Sequence, residues 1–253
     1  MKLDPLSPAA FAFIARVEQA YASLAESAAR GEASLGGKLL YAGELDEQGC
    51  ALAVAGNISG AATLAASADQ AARKQAMREG VVDFLVTSLD EALLILKNQI
   101  RKREPVAVCV GAAPAAVERE MLERGVKPDL ALAEIAAGFA PDAGTWLTWR
   151  AADAPALWMP KLDAIALDCL PPGAWAARRW LQLAPRYLGR LAQGARVLHT
   201  TGEFAAIIAA QFSEQAASGA ISVPIEIGIG PWESSRLRRL TPPHWPQSAP
   251  TAP

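Results

Sequence analysis

Residues 36–64, GGKLLYAGELDEQGCALAVAGNISGAATL, read as strand, tight turn and helix, and they constrain the fold more than any other part of the chain. Lys38 to Ala42 is a short apolar run bounded by Gly36-Gly37 and Gly43. Beyond Gly49, the residues Ala51, Val54, Ala55, Ile58 and Ala62 recur at helical spacing. A glycine-rich turn here would let backbone N–H groups and a helix N-terminus approach a diphosphate. This turn instead carries Glu44, Asp46 and Glu47, whose charge repels one. The scaffold is that of a nucleotide-binding unit, but the turn is not.

The same alternation continues along the chain. A short helix is expected over 69–79 and a strand over 81–86. Ser88-Leu89-Asp90-Glu91 is a capping box that starts a helix running to about Arg103. PVAVCV at 105–110 is continuously apolar, as a strand buried on both faces of a parallel sheet must be. A helix over 114–124, opened by Pro114 and closed by Gly125, leads to a strand over 129–133. Strand and helix in turn at this spacing predict an α/β fold, Rossmann-like, with a mostly parallel sheet and flanking helices.

The ends and the middle differ. Phe11, Ile14, Val17, Tyr21 and Leu24 step by three or four, which predicts an amphipathic helix over 9–30, stopped by Gly31. It would form an N-terminal arm (1–34) packed on the domain or on a second copy. The domain itself spans 35–230. Within it, 138–175 is rich in Pro and Trp and reads as a loop-rich connector with one strand at 162–167. Helix (175–191), strand (196–200), helix (203–217) and strand (224–229) then restore the alternation. Six prolines in 231–253 predict an extended or disordered tail.

Composition excludes several classes. With 52% hydrophobic and 20% charged residues, the chain is typical of a globular protein. A net charge of −2 leaves no electrostatic footprint for nucleic acid. The N-terminus has Asp4, Pro5 and Pro8 early and Arg16 and Glu18 inside its apolar pattern, so it reads as neither signal peptide nor membrane span. A cytoplasmic location is the expectation. Cys50, Cys109 and Cys169 lie far apart with no metal-type pairing, which predicts reduced, mostly buried thiols.

Two blocks of residues resemble urocanase (urocanate hydratase). The segment from Gly37-Lys38 through Ala42-Gly43 to Gly49 is similar to that family's NAD-binding G-K…A-G-L-G-G-M-G-G, with one of its five loop glycines kept, as Gly49. Leu89-Asp90-Glu91-Ala92-Leu93 and Arg124-Gly125-Val126-Lys127-Pro128-Asp129 continue the resemblance, the latter looking like K-R-G-V-R-P-D. Arg179-Trp180-Leu181, Ala195-Arg196-Val197 and Ser218-Gly219-Ala220-Ile221-Ser222-Val223-Pro224 form the last block. Together they cover about two-thirds of the chain.

In that family NAD⁺ is an electrophile: its nicotinamide bonds the substrate imidazole while water adds to the side chain. The resemblance implies this chemistry only where the sites carry over. The pyrophosphate loop is replaced by Glu44, Asp46, Glu47 and Gly49, and the ribose-binding acid of the second strand falls at or near Ser67. The Asp and His of T-D-Q-T-S-A-H-D-P are missing from 132–140, and those of G-R-D-H-L-D from 228–233. Cys169 lies where the family's cysteine-bearing loop is shortened and does not align with it.

Three readings remain open for the acidic turn: a solvated turn, a seat for a cationic or amine-bearing ligand, or a hard metal ion with Glu134 and Asp83 as further donors. His199 is the one weak catalytic candidate. It ends a strand before Thr200, Thr201 and Glu203, at a strand-to-helix crossing of the kind where α/β folds place ligand groups. With Glu134, those three residues are the ligand-cleft candidates. His244 lies in the tail. No metal and no cofactor are expected, with NAD only if the family site has been rebuilt. The expectation is a small-molecule-binding or protein-interaction module, with a homodimer or other protein partner through the connector or the first helix. The alternative is a lyase on urocanate or a related small acid.

Overall fold

The structure is a computed structural model describing residues 8–28, 34–131, 144–151, 153–230 and 237–245. It divides into two compact units, Met1–Asp142 with Gln182–Leu191, and Ala143–Leu181 with Ala192–Pro253.

In the first unit the parallel sheet is built from β1 (Leu39–Glu44), β2 (Ala62–Ala66), β3 (Phe84–Val86), β4 (Val106–Val110) and β5 (Leu130–Ala131), in the order β3-β4-β2-β1-β5. Every residue of β2 and β4 is buried, in keeping with their unbroken apolar runs. Chain order reverses at β1, which has β2 on one side and β5 on the other. Ligands of open α/β sheets bind at such a reversal, outside the carboxyl ends of the strands. Those ends are level: Glu44 pairs with Ala66, Ala66 with Val110, and Val110 with Val86.

Two aspartates set the opposite, amino edge. Asp129 donates its N–H to the Leu39 carbonyl (2.9 Å) and its carboxylate accepts from the Leu39 N–H (2.8 Å). Asp83 does the same for Ala107, with both bonds 2.8 Å. Each short outer strand is thus tied to its neighbour just before its own ladder begins.

One face of the sheet is covered by α4 (Leu89–Lys102) and α5 (Pro114–Glu123). Leu89, Leu93, Leu96, Val117 and Met121 pack there on Leu64, Val106 and Val108. α2 (Glu47–Ser59) is buried almost all round, as a helix covered on both sides must be. Its Gly56 lies so close to the sheet that an added Cβ would stand 2.4 Å from Thr63 Oγ1. The first helix, α1 (Pro8–Ser27), packs on α2 and buries Phe11, Ile14, Val17, Tyr21 and Leu24, so the expected arm is part of this unit. Gly31, its expected stop, lies outside the described residues. α3 (Gln70–Arg78) lies in the same unit, which also takes in the helical segment Gln182–Leu191.

The second unit corrects three expectations. Its sheet is antiparallel, not a continuation of the parallel one: β6 (Thr145–Ala151), β7 (Arg196–Thr200), β8 (Ile225–Gly230) and β9 (Arg238–Leu240) run in the order β7-β6-β8-β9. β6 falls in the segment read as a loop-rich connector. Its tryptophans and threonines are good strand formers on a pleated surface, and Leu147 and Trp149 are fully buried. The strand expected at 162–167 is helical, inside α6 (Pro155–Cys169). Trp158, Leu162 and Ala166 recur every four residues and are buried together, and this long helical register overrides a short apolar run. Of the tail, 238–240 pairs with β8, while 231–236 and 246–253 lie outside the described residues.

α7 (Trp175–Leu188) contributes Trp180, whose indole N–H donates to the Val197 carbonyl at 2.7 Å and fixes β7. α8 (Gly202–Ala217) follows β7. No helix among the described residues is long and apolar enough to cross a membrane.

Candidate functional site

The carboxyl edge of the parallel sheet carries the acidic turn, and the structure gives each carboxylate a separate task. Asp46 is the N-cap of α2: its Oδ1 accepts from the Gln48 N–H (3.0 Å) and the Gly49 N–H (2.8 Å). These first-turn donors are the groups a dinucleotide-binding helix would offer to a pyrophosphate. Here the chain's own carboxylate holds them, at the positive end of the helix dipole. Glu47, one residue on, forms an ion pair with Arg16 of α1. Glu44 ends β1, half-buried.

Gly49 is kept for packing. A Cβ there would stand 1.8 Å from the Glu44 carbonyl oxygen and 3.0 Å from that of Ala42, so the helix passes directly against the strand end. That side of Gly49 is therefore filled by backbone, which seats the helix on the strand; what stands at the N–H groups themselves is the Asp46 carboxylate. The residues present do not fit NAD at this turn.

The remaining residues singled out in the sequence are dispersed. Ser67 is fully buried just past β2, and its Oγ accepts from the Asp69 N–H at 3.3 Å. Asp69, two residues on, caps α3 through the N–H groups of Ala71 (2.7 Å) and Ala72 (3.3 Å). Asp83 is at the amino edge, bonded to Ala107, so it cannot join Glu44 around a metal ion. Glu134 lies outside the described residues. His199, Thr200, Thr201 and Glu203 belong to the second unit, the acidic turn to the first. His199 stacks on its cross-strand neighbour Trp146, with ring centroids 4.8 Å apart. It lies so close to Gly144 that a Cβ there would meet Nε2 at 1.9 Å. His199 is half-buried at the end of its strand. Thr200 pairs with Thr145 in the ladder, and Thr201 caps α8 by accepting from the Phe204 N–H at 3.3 Å. Glu203 is exposed in the first turn of α8.

The thiols are poor nucleophiles. Burial first, then Asp46, Glu79, Cys109 and Glu44, push Cys50 up to about 12. Cys109 is pushed up to about 11, mainly by burial, although Arg73 pulls it back. Tyr41 is held above its usual range by burial and by Glu118, which accepts from its hydroxyl at 3.0 Å. A thiol whose folded-state pKa is raised contributes stability that is complete below about 9 and is lost as pH rises through 11 to 12. At pH 8 Cys50 and Cys109 should react with a thiol reagent at least roughly tenfold more slowly in the folded protein than in denaturant, since the thiolate is the attacking species. Equal rates in the two states would refute this.

The sequence reading missed Arg73. It projects from α3 across the carboxyl edge, with Nη1 where a Cβ of Gly111 would be, 1.8 Å from that position. A cation on a helix expected to be solvated gives no sign in the sequence of reaching the sheet edge. The one available signal was its place a few residues beyond a second strand that ends in Ser67 rather than in an acid.

A comparison with known proteins adds one finding: the model of the urocanase Rossmann-like domain matches residues 17–147, just over half of the chain.

Proposed function

Because this chain belongs to the urocanase family through its Rossmann-like domain, we propose that it is a small-molecule-binding module of that family without urocanate hydratase activity. The observation that supports this most directly is Asp46. Its carboxylate occupies the N–H groups at the start of α2, and a hydratase of this family needs NAD⁺ seated on such groups. An external phosphate would have to displace a covalently tethered carboxylate, and Glu44 and Glu47 add further negative charge beside it. The parallel sheet and its chain reversal remain, so the carboxyl edge keeps the shape on which α/β proteins bind small molecules.

The test is to denature freshly purified protein, identify released small molecules by mass spectrometry, and assay urocanate consumption on the native protein. No released NAD⁺ and no turnover are expected. Stoichiometric NAD⁺, or consumption of urocanate, would overturn the reading. Replacing Glu44, Asp46 and Glu47 together with glycine frees the Gln48 and Gly49 N–H groups and should bring NAD⁺ affinity into a measurable range. No gain would locate the obstruction in the backbone at Gly49 instead.

A further inference from the structure

Arg73 is a cation at this edge with a donor that the described residues leave unused. Its Nε is buried and has no hydrogen-bond partner among the described residues, and no carboxylate there forms an ion pair with it. Arg73 is half-buried as a residue; its guanidinium carries five donors in a planar fork matched to a phosphate or carboxylate, and leaving the buried Nε–H unanswered is costly. Its position is not accidental. Nη1 lies against Gly111, and any side chain at that residue would push it away. Gly111 directly follows β4, whose last residue, Val110, is in register with the last residue of β2. The fully buried Ser67 comes next after β2 and is bonded through its N–H to the Val110 carbonyl at 3.1 Å. Arg73, Ser67 and Gly111 therefore meet at one point of the carboxyl edge.

Helix α5 begins three residues after Gly111. Its N-cap, Ala113, provides no side-chain bond, whereas α2, α3 and α4 are capped by Asp46, Asp69 and Ser88. Pro114 has no N–H and the Ala116 N–H is taken by the Ala113 carbonyl at 2.9 Å, so this helix start offers the Ala115 N–H, without a competing carboxylate or hydroxyl cap, beside a guanidinium whose Nε is unanswered, an arrangement that favours an anion. In α/β folds of this type, an acid at the end of the second strand binds a ribose hydroxyl, and an arginine near a non-acidic residue there accommodates a phosphate.

We propose that Arg73, with the start of α5, binds the phosphate of a small phosphomonoester. The proposal rests on the reading of the chain as a small-molecule-binding module and names the ligand class for it. Because Asp46 holds the first N–H groups of α2, the ligand is a monophosphate and not a dinucleotide.

The experiment is calorimetric titration of the full chain, at low salt, with adenosine 2′-monophosphate, inorganic phosphate, acetate and NAD⁺ in turn. Saturable 1:1 binding of the two phosphate probes is expected, with acetate weaker by on the order of tenfold, since a dianion makes more charge-assisted bonds to a guanidinium than a monoanion. Arg73→Gln should weaken phosphate binding by on the order of tenfold or more, and Lys74→Gln, at the exposed neighbouring position, should leave it unchanged. Gly111→Ser displaces the guanidinium without removing it and should weaken binding in the same way, so the answer does not depend on one variant. Absence of saturable phosphate binding, equal affinity for acetate, or wild-type affinity in both Arg73→Gln and Gly111→Ser would overturn the proposal. Tight binding of NAD⁺ would instead overturn the reading on which it rests, so the two failures are distinguishable.

Discussion

Arg196→Met should destabilise the protein by about 3–5 kcal/mol, the range for stripping one partner from a buried ion pair. Arg196 and Asp163 are both nearly inaccessible, at 5% and 6% exposure. The guanidinium donates Nε and Nη2 to Asp163 Oδ2 at 2.9 and 2.8 Å, and Nη1 to the Ala192 and Ala195 carbonyls. Its loss leaves a carboxylate in the core of the second unit and two carbonyls without a donor. Burial already pushes the Asp163 carboxyl up, opposed by Arg196 and by the Trp149 indole. Removing the arginine removes the larger opposition, so in the variant the folded state holds a proton on Asp163 more tightly than the unfolded state does. A carboxyl with a raised folded-state pKa stabilises on the acid side and loses that contribution as pH rises. The deficit of Arg196→Met should therefore shrink toward acid pH. Adding Asp163→Leu should recover much of it, since a well-packed apolar pair often replaces a buried ion pair without loss. Chemical denaturation of the four variants of the cycle measures this. A single-variant cost under about 1 kcal/mol would mean the pair is solvated in practice.

Gly49→Ala is expected to cost about 3 kcal/mol or more, because the new Cβ meets main chain rather than a movable side chain. The Glu44 carbonyl oxygen would be 1.8 Å away and its carbon 2.9 Å, so either β1 or α2 must shift. Gly173→Ala is the control: its Cβ has nothing within 4 Å, and its stability should be within about 0.5 kcal/mol of the parent. Thermal or denaturant unfolding of the two variants decides the matter. Similar stabilities would show that β1 and α2 can part at this contact without cost.

The parallel half of the fold was legible because its strands are buried on both faces and so read as unbroken apolar runs. The punctuation by Gly43, Ser88, Pro114 and Gly125 also acts through local backbone chemistry that sequence displays directly. The second unit was harder. Segment 145–151 mixes tryptophan, threonine and arginine, and its burial depends on partners far along the chain, at 196–200 and 225–230. Segment 162–167 is apolar enough for either state, and only the longer spacing from Trp158 to Ala166 separates them. At the site, the charges of the acidic turn were visible but not their directions. Asp46 followed three residues later by Gly49 is as much the pattern of a helix cap as of a repulsive loop, and the structure shows the cap. Arg73 was invisible because a side chain's reach across a sheet edge is set by the packing of its helix and leaves no local pattern.

The paired bonds of Asp83 and Asp129 bear on which lengths of chain can change. Parallel neighbours are joined by long crossovers rather than tight hairpins, so a connection does not by itself fix how far one strand slides past the next. In this sheet the two outermost strands have three and two residues in their ladders, too few to define an alignment alone. One aspartate before each supplies the index, gripping both the N–H and the C=O of a single residue on the adjacent strand. Insertions after the grip, on the carboxyl side, leave that index untouched, whereas an insertion between the aspartate and its strand would shift the strand by a residue and exchange its two faces. The amino edge therefore acts as the datum from which the rest of the unit is measured, and the opposite rim is where loops can lengthen or exchange residues without the sheet losing its place.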